Sequence, residues 1–171
     1  YGEVWLARSV LGEYRAVKVI HRRAFGDNRP FEREFEGIQR YEPISRSHES
    51  QVQILHVGIN QSAGYFYYVM ELADDANAEG GRRNTESTLT RPADTLSHPM
   101  GEGRGEGRSQ FYAPRTLRLA LERKHRLPIG ECIDVGLALT TALAHLHKQG
   151  LVHRDIKPSN IIFVNGAPKF A

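Results

Sequence analysis

One segment, residues 74–110, limits most strongly the folds that this 171-residue chain can adopt. It contains six glycines and mixed charges, in runs such as "AEGGRRN" and "GEGRGEGR", and its larger aliphatic residues are only Leu89, Leu96 and Met100. A stretch of this composition cannot bury enough apolar surface to offset the entropy lost on ordering. We therefore predict a flexible low-complexity insertion between two ordered parts, residues 1–73 and 111–171.

Composition and charge argue against several classes of function. The formal net charge is only +3, and the arginines are scattered rather than gathered into a stripe with aromatic residues, so no nucleic-acid partner is predicted. No run of eighteen apolar residues is present, so no membrane segment is predicted within the chain. The single cysteine, Cys132, is typical of a reducing compartment, and we predict a cytoplasmic domain. An anchor elsewhere in a longer protein and the oligomeric state stay open.

Changes of periodicity predict the elements of the first part. "EVWLARSV" and "EYRAVKVI" are short β-rich runs joined by a turn. Apolar residues from Phe31 to Tyr41 then recur at helical spacing, and Pro43 marks the predicted end of that helix. "VQILHVGIN" and "GYFYYVMEL" return to strand character. Two strands, a helix and two strands predict an antiparallel sheet with a helix packed against it.

The second part is helical at first and then polar. "APRTLRLALERK" and "IGECIDVGLALTTALAHLHKQG" predict a short and a longer helix, and Gly150 is typical of a helix C-terminus. The polar stretch "LVHRDIKPSN" follows directly. After it, "IIFV" and "APKF" flank an Asn-Gly pair, which predicts a small β-hairpin.

Asp155, Lys157 and Asn160 are the residues of this polar stretch that can carry chemistry. A carboxylate and a carboxamide offer hard oxygen atoms, which suit Mg²⁺ or accept a proton from a substrate hydroxyl. A lysine two residues after the aspartate can neutralise charge on a phosphoryl group. A solvated loop with Asx turns would explain a bare D-x-x-x-x-N pattern, but the longer ordered pattern around it favours a functional site.

"HRDIKPSN" resembles the catalytic loop of eukaryotic-type Ser/Thr protein kinases. The sequence around it is similar to that of bacterial members of the family. The resemblance implies an α+β, protein-kinase-like fold, with an antiparallel β small lobe carrying one helix, followed by the first helices and catalytic loop of a mainly helical large lobe. It also implies ATP, Mg²⁺ and protein substrates with Ser/Thr hydroxyls. Asp155 would orient or deprotonate the hydroxyl, Lys157 would stabilise the phosphoryl group, and Asn160 would ligate the metal.

"RAVKVI" resembles the strand that carries the family's ATP-binding lysine. The resemblance implies that Ala16 lines the adenine pocket and that Lys18 reaches the α- and β-phosphates. The helix that follows would supply the ion-pair partner of Lys18. Glu34 is predicted for this role, because apolar residues follow it at the family's spacing, and Glu36 is the alternative.

The other ATP-binding residues are implied by two further stretches and by the loop itself. "YGEVWLA" resembles the end of the glycine-rich phosphate loop, and "YYVMELAD" resembles the last strand and the hinge between the lobes. Met70 would be the gatekeeper, and the backbone of the hinge would hydrogen-bond adenine. The predicted residues are Gly2, Val4, Met70, Glu71, Ala73 and Ile162.

The family pattern continues with a D-x-G motif, and Ala171 stands just before the place where it would come. We therefore expect the sequence to be a fragment of a longer reading frame, inactive in phosphotransfer by itself. The apolar face of the helix over 131–149 predicts poor solubility. Two alternative functions stay open: a pseudokinase that serves as an interaction module, and a small-molecule phosphotransferase of the aminoglycoside type, which shares the D-x-x-x-x-N loop.

Overall fold

The computed structural model describes residues 2–78 and 112–171. Six strands are present in these ranges: β1 (Glu3–Arg8), β2 (Tyr14–His21), β3 (Ile54–Asn60), β4 (Tyr65–Met70), β5 (Ile161–Val164) and β6 (Ala167–Phe170). The three α-helices are α1 (Asn28–Ser45), α2 (Leu117–Lys124) and α3 (Ile129–Lys148). Short 3₁₀ turns cover Arg22–Ala24 and Pro158–Asn160.

The first part folds as one antiparallel sheet with α1 packed against it. The strand order is β1-β2-β4-β3, which confirms the predicted sheet and its helix. Strand residues alternate between the two faces of a sheet, so Phe66, Tyr68 and Met70 all point toward the core. Phe31 of α1 lies edge-on to Phe66, with ring centres 5.2 Å apart, and this aromatic contact fixes the helix on the sheet.

Helix α1 begins where its sequence predicts but ends later. The Asp27 side chain caps the first turn by accepting from the Arg29 N–H at 3.4 Å. Pro43 was predicted to end the helix, which was wrong, because α1 continues to Ser45. The buried Ser45 hydroxyl donates to the Glu42 carbonyl at 2.6 Å and accepts from the Ile54 N–H at 2.9 Å. These bonds hold the last turn in place although the proline contributes no N–H.

The second part follows its predicted order of helix, helix, polar loop and hairpin. Helix α3 ends as expected at Gly150, which has φ +74° and donates to the His147 carbonyl, while the next N–H, that of Leu151, donates back to Leu146. In the hairpin, Asn165 and Gly166 both have positive φ, as a two-residue turn of this kind requires.

The two parts are joined through the hairpin and α3. The Val52 N–H donates to the Phe170 carbonyl at 2.9 Å, and the Phe170 N–H donates to the Ser50 carbonyl at 3.1 Å. The buried Gln51 amide reaches the Ala142 carbonyl of α3 at 3.0 Å. Strand β5 is buried along its whole length. Its Ile162 and Val164 belong to the apolar core of the four-stranded sheet, and its Ile161 belongs to a second apolar core with Ala142 and Phe170.

Residues 74–78, which belong to the predicted insertion, are part of the described structure. Both carboxylate oxygens of Asp74 accept backbone N–H groups of the hairpin turn, from Asn165 at 2.7 Å and from Gly166 at 2.8 Å. The Asp74 N–H also donates to the Phe163 carbonyl at 2.7 Å. The rest of the predicted insertion lies outside the described residues, so its flexibility stays a prediction.

Helix α3 is the one described helix that is long and apolar enough, by length and composition, to cross a membrane. A single helix of this kind is weak evidence for a membrane span, because a core helix of a soluble protein passes the same test. Ile129, Ile133 and Leu137 lie largely exposed along its first half.

Candidate active site

Asp155, Lys157 and Asn160 form one hydrogen-bonded group in the loop after α3. The Lys157 ammonium lies 2.9 Å from Asp155 Oδ2, and the Asn160 amide donates to the same oxygen at 2.7 Å and to the Asp155 carbonyl at 3.0 Å. The 3₁₀ turn Pro158–Asn160 brings Asn160 back toward the aspartate, because the Asn160 N–H donates to the Lys157 carbonyl. The three side chains predicted to carry chemistry are therefore gathered around one carboxylate.

The backbone at Arg154 separates a half-buried side chain from an exposed one. Arg154 has φ +64°, a left-handed conformation that is uncommon for a residue with a Cβ atom. On one side of it, the His153 ring packs inward against Phe170, with ring centres 4.9 Å apart. On the other side, the Asp155 side chain is 62% exposed. This turn of the chain presents the carboxylate to solvent, where a substrate can approach.

Asp155 is held in its charged form by its neighbours. Hydrogen bonds from Lys157 and from Asn160 lower the pKa of the Asp155 carboxyl below its ordinary value of 3.8, and the nearby charges of Lys157 and His153 act in the same direction. At neutral pH the group is thus a carboxylate that accepts hydrogen bonds. A carboxylate of low pKa is a weak base, so it is better suited to orienting a hydroxyl than to deprotonating it early.

His153 makes the stability of this loop depend on pH. Burial lowers the pKa of the His153 imidazole below 6.5, although the Asp155 charge acts in the opposite direction, and its buried Nδ1 has no hydrogen-bond partner among the described residues. The unfolded chain therefore takes up a proton at a higher pH than the folded one. The contribution of neutral His153 is fully present above pH 6.5 and is lost as the pH falls through the folded pKa.

We expect the free energy of unfolding of the chain to decrease between pH 7.5 and pH 5, and the decrease to be smaller in His153→Phe, which keeps a ring against Phe170. Urea denaturation at several pH values measures this. The exposed His56, replaced by Phe in the same way, serves as the control. An equal decrease in wild type and His153→Phe would contradict the assignment. The pKa of the Asp155 carboxyl lies below 3.8, so Asp155 does not contribute to the change between pH 7.5 and pH 5.

Lys18 lies on β2, opposite Val4 of β1 and Tyr68 of β4. Its ammonium stands 5.7 Å from the centre of the Tyr68 ring. Burial lowers the pKa of Lys18, but Tyr68, Glu34 and Asp155 together outweigh burial and raise it above 10.5. Lys18 is therefore a cation within electrostatic reach of both predicted carboxylates.

The predicted ion pair between Lys18 and Glu34 is not among the ion pairs that join the described residues. Tyr68 lies directly opposite on the neighbouring strand, and its ring centre is 5.7 Å from the Lys18 ammonium. Of the two glutamates considered, Glu34 is half-buried and acts on the pKa of Lys18, whereas Glu36 is exposed. The structure therefore favours Glu34 over Glu36 as the closer charge, and its role stays a prediction.

The predicted adenine-binding residues come together in one apolar cluster. Ala16 lies opposite Met70 in the sheet, and both are buried, as are Ala73 and Ile162. Val4 packs against the same cluster from β1. Ile162 is separated from Ala16 by more than 140 positions, so the fold alone brings it here.

Gly2, which is predicted to be the last glycine of the phosphate loop, directly precedes β1. Its φ is +118°, and a Cβ atom there would lie 3.0 Å from Ile20 Cγ1 and from the Val19 carbonyl oxygen, and 3.5 Å from Lys18 Cε. Glycine therefore lets the backbone of β1 approach the lysine strand closely.

The segment predicted to be the hinge is held by bonds to the second part of the chain. The Glu71 carboxylate forms a half-buried ion pair with Lys169 of β6 at 2.7 Å and accepts the Gln53 N–H at 3.0 Å. The Ala73 carbonyl accepts the Tyr112 hydroxyl at 3.1 Å. The Ala73 N–H donates in no hydrogen bond between described residues.

Three residues of this site were not found from the sequence. Tyr68 was read only as part of a strand, Lys169 as part of a hairpin, and Asp74 as part of the insertion. The alternation of Phe66, Tyr68 and Met70 could have placed Tyr68 on the core face, but its position opposite Lys18 required the strand register. No local signal marks Lys169, whose partner lies 98 residues away.

In comparisons with known proteins, a family model matches the part of the chain that contains the predicted catalytic loop. The family model for the protein kinase domain matches residues 109–171. Residues 109–171 are thus similar to part of a protein kinase domain. The prediction made from "HRDIKPSN" is therefore confirmed for this region, and so is the α+β, kinase-like arrangement of the sheet and helices.

Several named protein kinases are similar to parts of this chain. A probable serine/threonine-protein kinase of Clostridium perfringens is 36% identical over 53 residues, which are 31% of this chain and 8% of that protein. The serine/threonine-protein kinase PknA of Mycobacterium tuberculosis is 34% identical over 85 residues, 46% of this chain and 20% of that protein. Eukaryotic translation initiation factor 2-alpha kinase 3 of Rattus norvegicus is 45% identical over 42 residues, 25% of this chain and 3% of that protein.

The chain thus spans a fifth or less of the length of these kinases. The family match includes Asp155, Lys157, Asn160 and Ile162, whereas the predicted ATP-binding residues of the first part, from Gly2 to Ala73, lie before it. Their assignment rests on their position in the sheet and on their contacts with the matched region.

Proposed function

We propose that this chain supplies the ATP site and catalytic loop of a protein serine/threonine kinase, which transfers a phosphoryl group from ATP to Ser/Thr hydroxyls of protein substrates. The observation that carries the proposal is the joint attachment of Lys157 and Asn160 to the Asp155 carboxylate, within the region that matches the kinase family. The proposed domain is cytoplasmic, and no nucleic-acid partner is part of the proposal.

The first part of the chain would bind the nucleotide. Ala16, Met70 and Ile162 offer an apolar surface for the adenine ring, and the Ala73 N–H would donate a hydrogen bond beside it. Lys18, whose raised pKa keeps it protonated, would bind the phosphates as a cation. Lys18 is within electrostatic reach of Asp155, which supports binding and chemistry at one site.

The loop would act on the hydroxyl and the transferred group. Asp155 would accept a hydrogen bond from the substrate hydroxyl and hold its oxygen toward the phosphorus, which contributes by orientation. It would receive the proton as the new bond forms. Lys157, which now pairs with Asp155, would stabilise negative charge on the phosphoryl group.

The donor atoms of the loop suit Mg²⁺, which prefers oxygen ligands and is usually held by one or two protein side chains together with phosphates and water. Asn160 would be the ligand, and its oxygen is left available because its amide nitrogen makes the bonds to Asp155. The ion would neutralise phosphate charge. The described residues contain no group of three His, Cys, Asp or Glu that could hold a metal by themselves.

Replacing Lys18 by Met tests the nucleotide half of the proposal. The change removes the phosphate-binding cation but keeps an unbranched apolar stem beside Tyr68. We expect the affinity for ATP to fall by about tenfold or more, since one charge-assisted contact to phosphate is worth about 1.5–3 kcal/mol. Titration with a fluorescent ATP analogue measures it. Arg15→Met, on the same strand and away from the site, is the control.

Phosphotransfer itself is tested in the full-length protein that carries these residues. Incorporation of label from γ-labelled ATP into a panel of Ser/Thr peptides is the expected result. Labelling of aminoglycosides instead of peptides would indicate a small-molecule phosphotransferase. Binding of ATP without any transfer would indicate a pseudokinase and would overturn the proposal.

A further inference from the structure

A second site lies at the outer end of the sheet, away from the proposed ATP site. A cavity of 710 Å³ is formed between the end of β2, the segment that leads into α1, and the β3–β4 turn. We name it the edge cavity, and its charged or aromatic lining residues are His21, Arg22, Arg23, Phe25, Asp27 and Tyr65. It shares no residue with the proposed kinase site.

Arg22 is held in place on the wall of the edge cavity. Its backbone N–H donates to the Gly64 carbonyl at 2.8 Å, which ties the end of β2 to the β3–β4 turn. Its guanidinium lies over the Phe31 ring, 5.1 Å from the ring centre. The buried Arg22 Nε has no hydrogen-bond partner among the described residues. A guanidinium fixed in this way loses little freedom when it binds an anion.

The positive charge of the edge cavity is not balanced by its own carboxylates. Neither Arg22 nor Arg23 belongs to an ion pair among the described residues. Asp27 is the single acidic residue that lines the cavity, and its Oδ1 is engaged as the N-cap of α1 through the Arg29 N–H. The first turn of α1 contains no acidic side chain. The cavity is therefore lined by two arginine side chains and by one carboxylate, which already accepts a hydrogen bond from α1.

We propose that the edge cavity binds a phosphate monoester carried on a peptide, such as a phosphorylated Ser or Thr side chain. Two guanidinium groups suit a phosphate dianion better than a single carboxylate, because the dianion carries more negative charge and more acceptor oxygens. Arg23, Asp27 and other parts of the rim are exposed, so the site is open to a segment of another macromolecule. Phe25 and Tyr65 add aromatic surface beside the arginines, against which the peptide can pack.

The experiment compares three probes on the 171-residue chain: a blocked Ala-Ala-phosphothreonine-Ala-Ala peptide, the same peptide without phosphate, and inorganic phosphate. Calorimetry gives the affinities, and the NMR signal of the Arg22 Nε–H reports a change in the environment of that side chain. We expect the phosphopeptide to bind at least tenfold more tightly than either of the other probes and to shift the Arg22 signal. Equal binding of the unphosphorylated peptide or of inorganic phosphate overturns the proposal.

Variants separate the edge cavity from general positive charge. Arg22→Gln with Arg23→Gln is expected to weaken phosphopeptide binding by at least tenfold. Arg33→Gln with Arg40→Gln removes the same charge from exposed positions of α1 outside the cavity, and it should leave binding within twofold. Because Arg22 packs on Phe31, Arg23→Gln alone is also measured, with an expected loss of at least threefold and an unchanged urea midpoint. Equal losses in both double variants would overturn the proposal.

Discussion

Asp155→Asn is expected to reduce phosphotransfer by about 10²- to 10⁴-fold in the full-length protein, which is the range that a positioned acid or base group contributes. The substitution keeps the size of the side chain and one oxygen that can accept from Lys157 or Asn160. It removes the charge that the two neighbours now stabilise, and with it the strongest hydrogen-bond acceptor for a substrate hydroxyl. The rate constant for label transfer from ATP to a Ser/Thr peptide measures the loss.

The affinity for ATP separates a catalytic role from a structural one. Asp155 is exposed, and among the described residues its side chain hydrogen-bonds only within its own loop, so Asp155→Asn should bind the nucleotide within a few-fold of wild type. Asp134→Asn, an exposed change on α3, is the control and should change neither quantity. If Asp155→Asn transferred phosphate at the wild-type rate, the role proposed for the carboxylate would be wrong.

Local patterns were sufficient for the elements and for the loop. The strands and helices form over short ranges that their own periodicity sets, and the loop residues Asp155, Lys157 and Asn160 lie within six positions. The Schellman-type end at Gly150 and the Asn-Gly turn also depend on nearby residues only. The prediction of these features therefore needed no knowledge of distant contacts.

Contacts between distant residues could not be predicted in the same way. Pro43 was predicted to end α1 because a proline inside a helix removes a local hydrogen bond. The hydrogen bond from the Ile54 N–H to the Ser45 hydroxyl stabilises the last turn in spite of that loss. Asp74 was assigned to the insertion because its neighbours are polar, although both its oxygens cap a hairpin more than ninety positions away. The position of Tyr68 opposite Lys18 depends on the strand register.

The ion pair between Glu71 and Lys169 is expected to be the polar contact whose loss destabilises the chain most. The side chains are only 20% and 9% exposed, and the ammonium lies within 3.0 Å of both carboxylate oxygens. Removal of one partner leaves a charge in a poorly solvated place, which costs about 3–5 kcal/mol in buried pairs. Because Glu71 retains some solvent, we expect Lys169→Met to lower the free energy of unfolding by about 3 kcal/mol.

A matched control and a double variant test this value by urea denaturation. Lys124→Met breaks an ion pair with Glu131 whose side chains are 49% and 45% exposed, and it should cost no more than about 1 kcal/mol. Glu71→Gln keeps an acceptor for the Gln53 N–H, so adding it to Lys169→Met removes the uncompensated charge without losing that bond. The double variant should therefore be more stable than Lys169→Met alone. Equal costs for Lys169→Met and Lys124→Met would show that the pair does not hold the predicted hinge to β6.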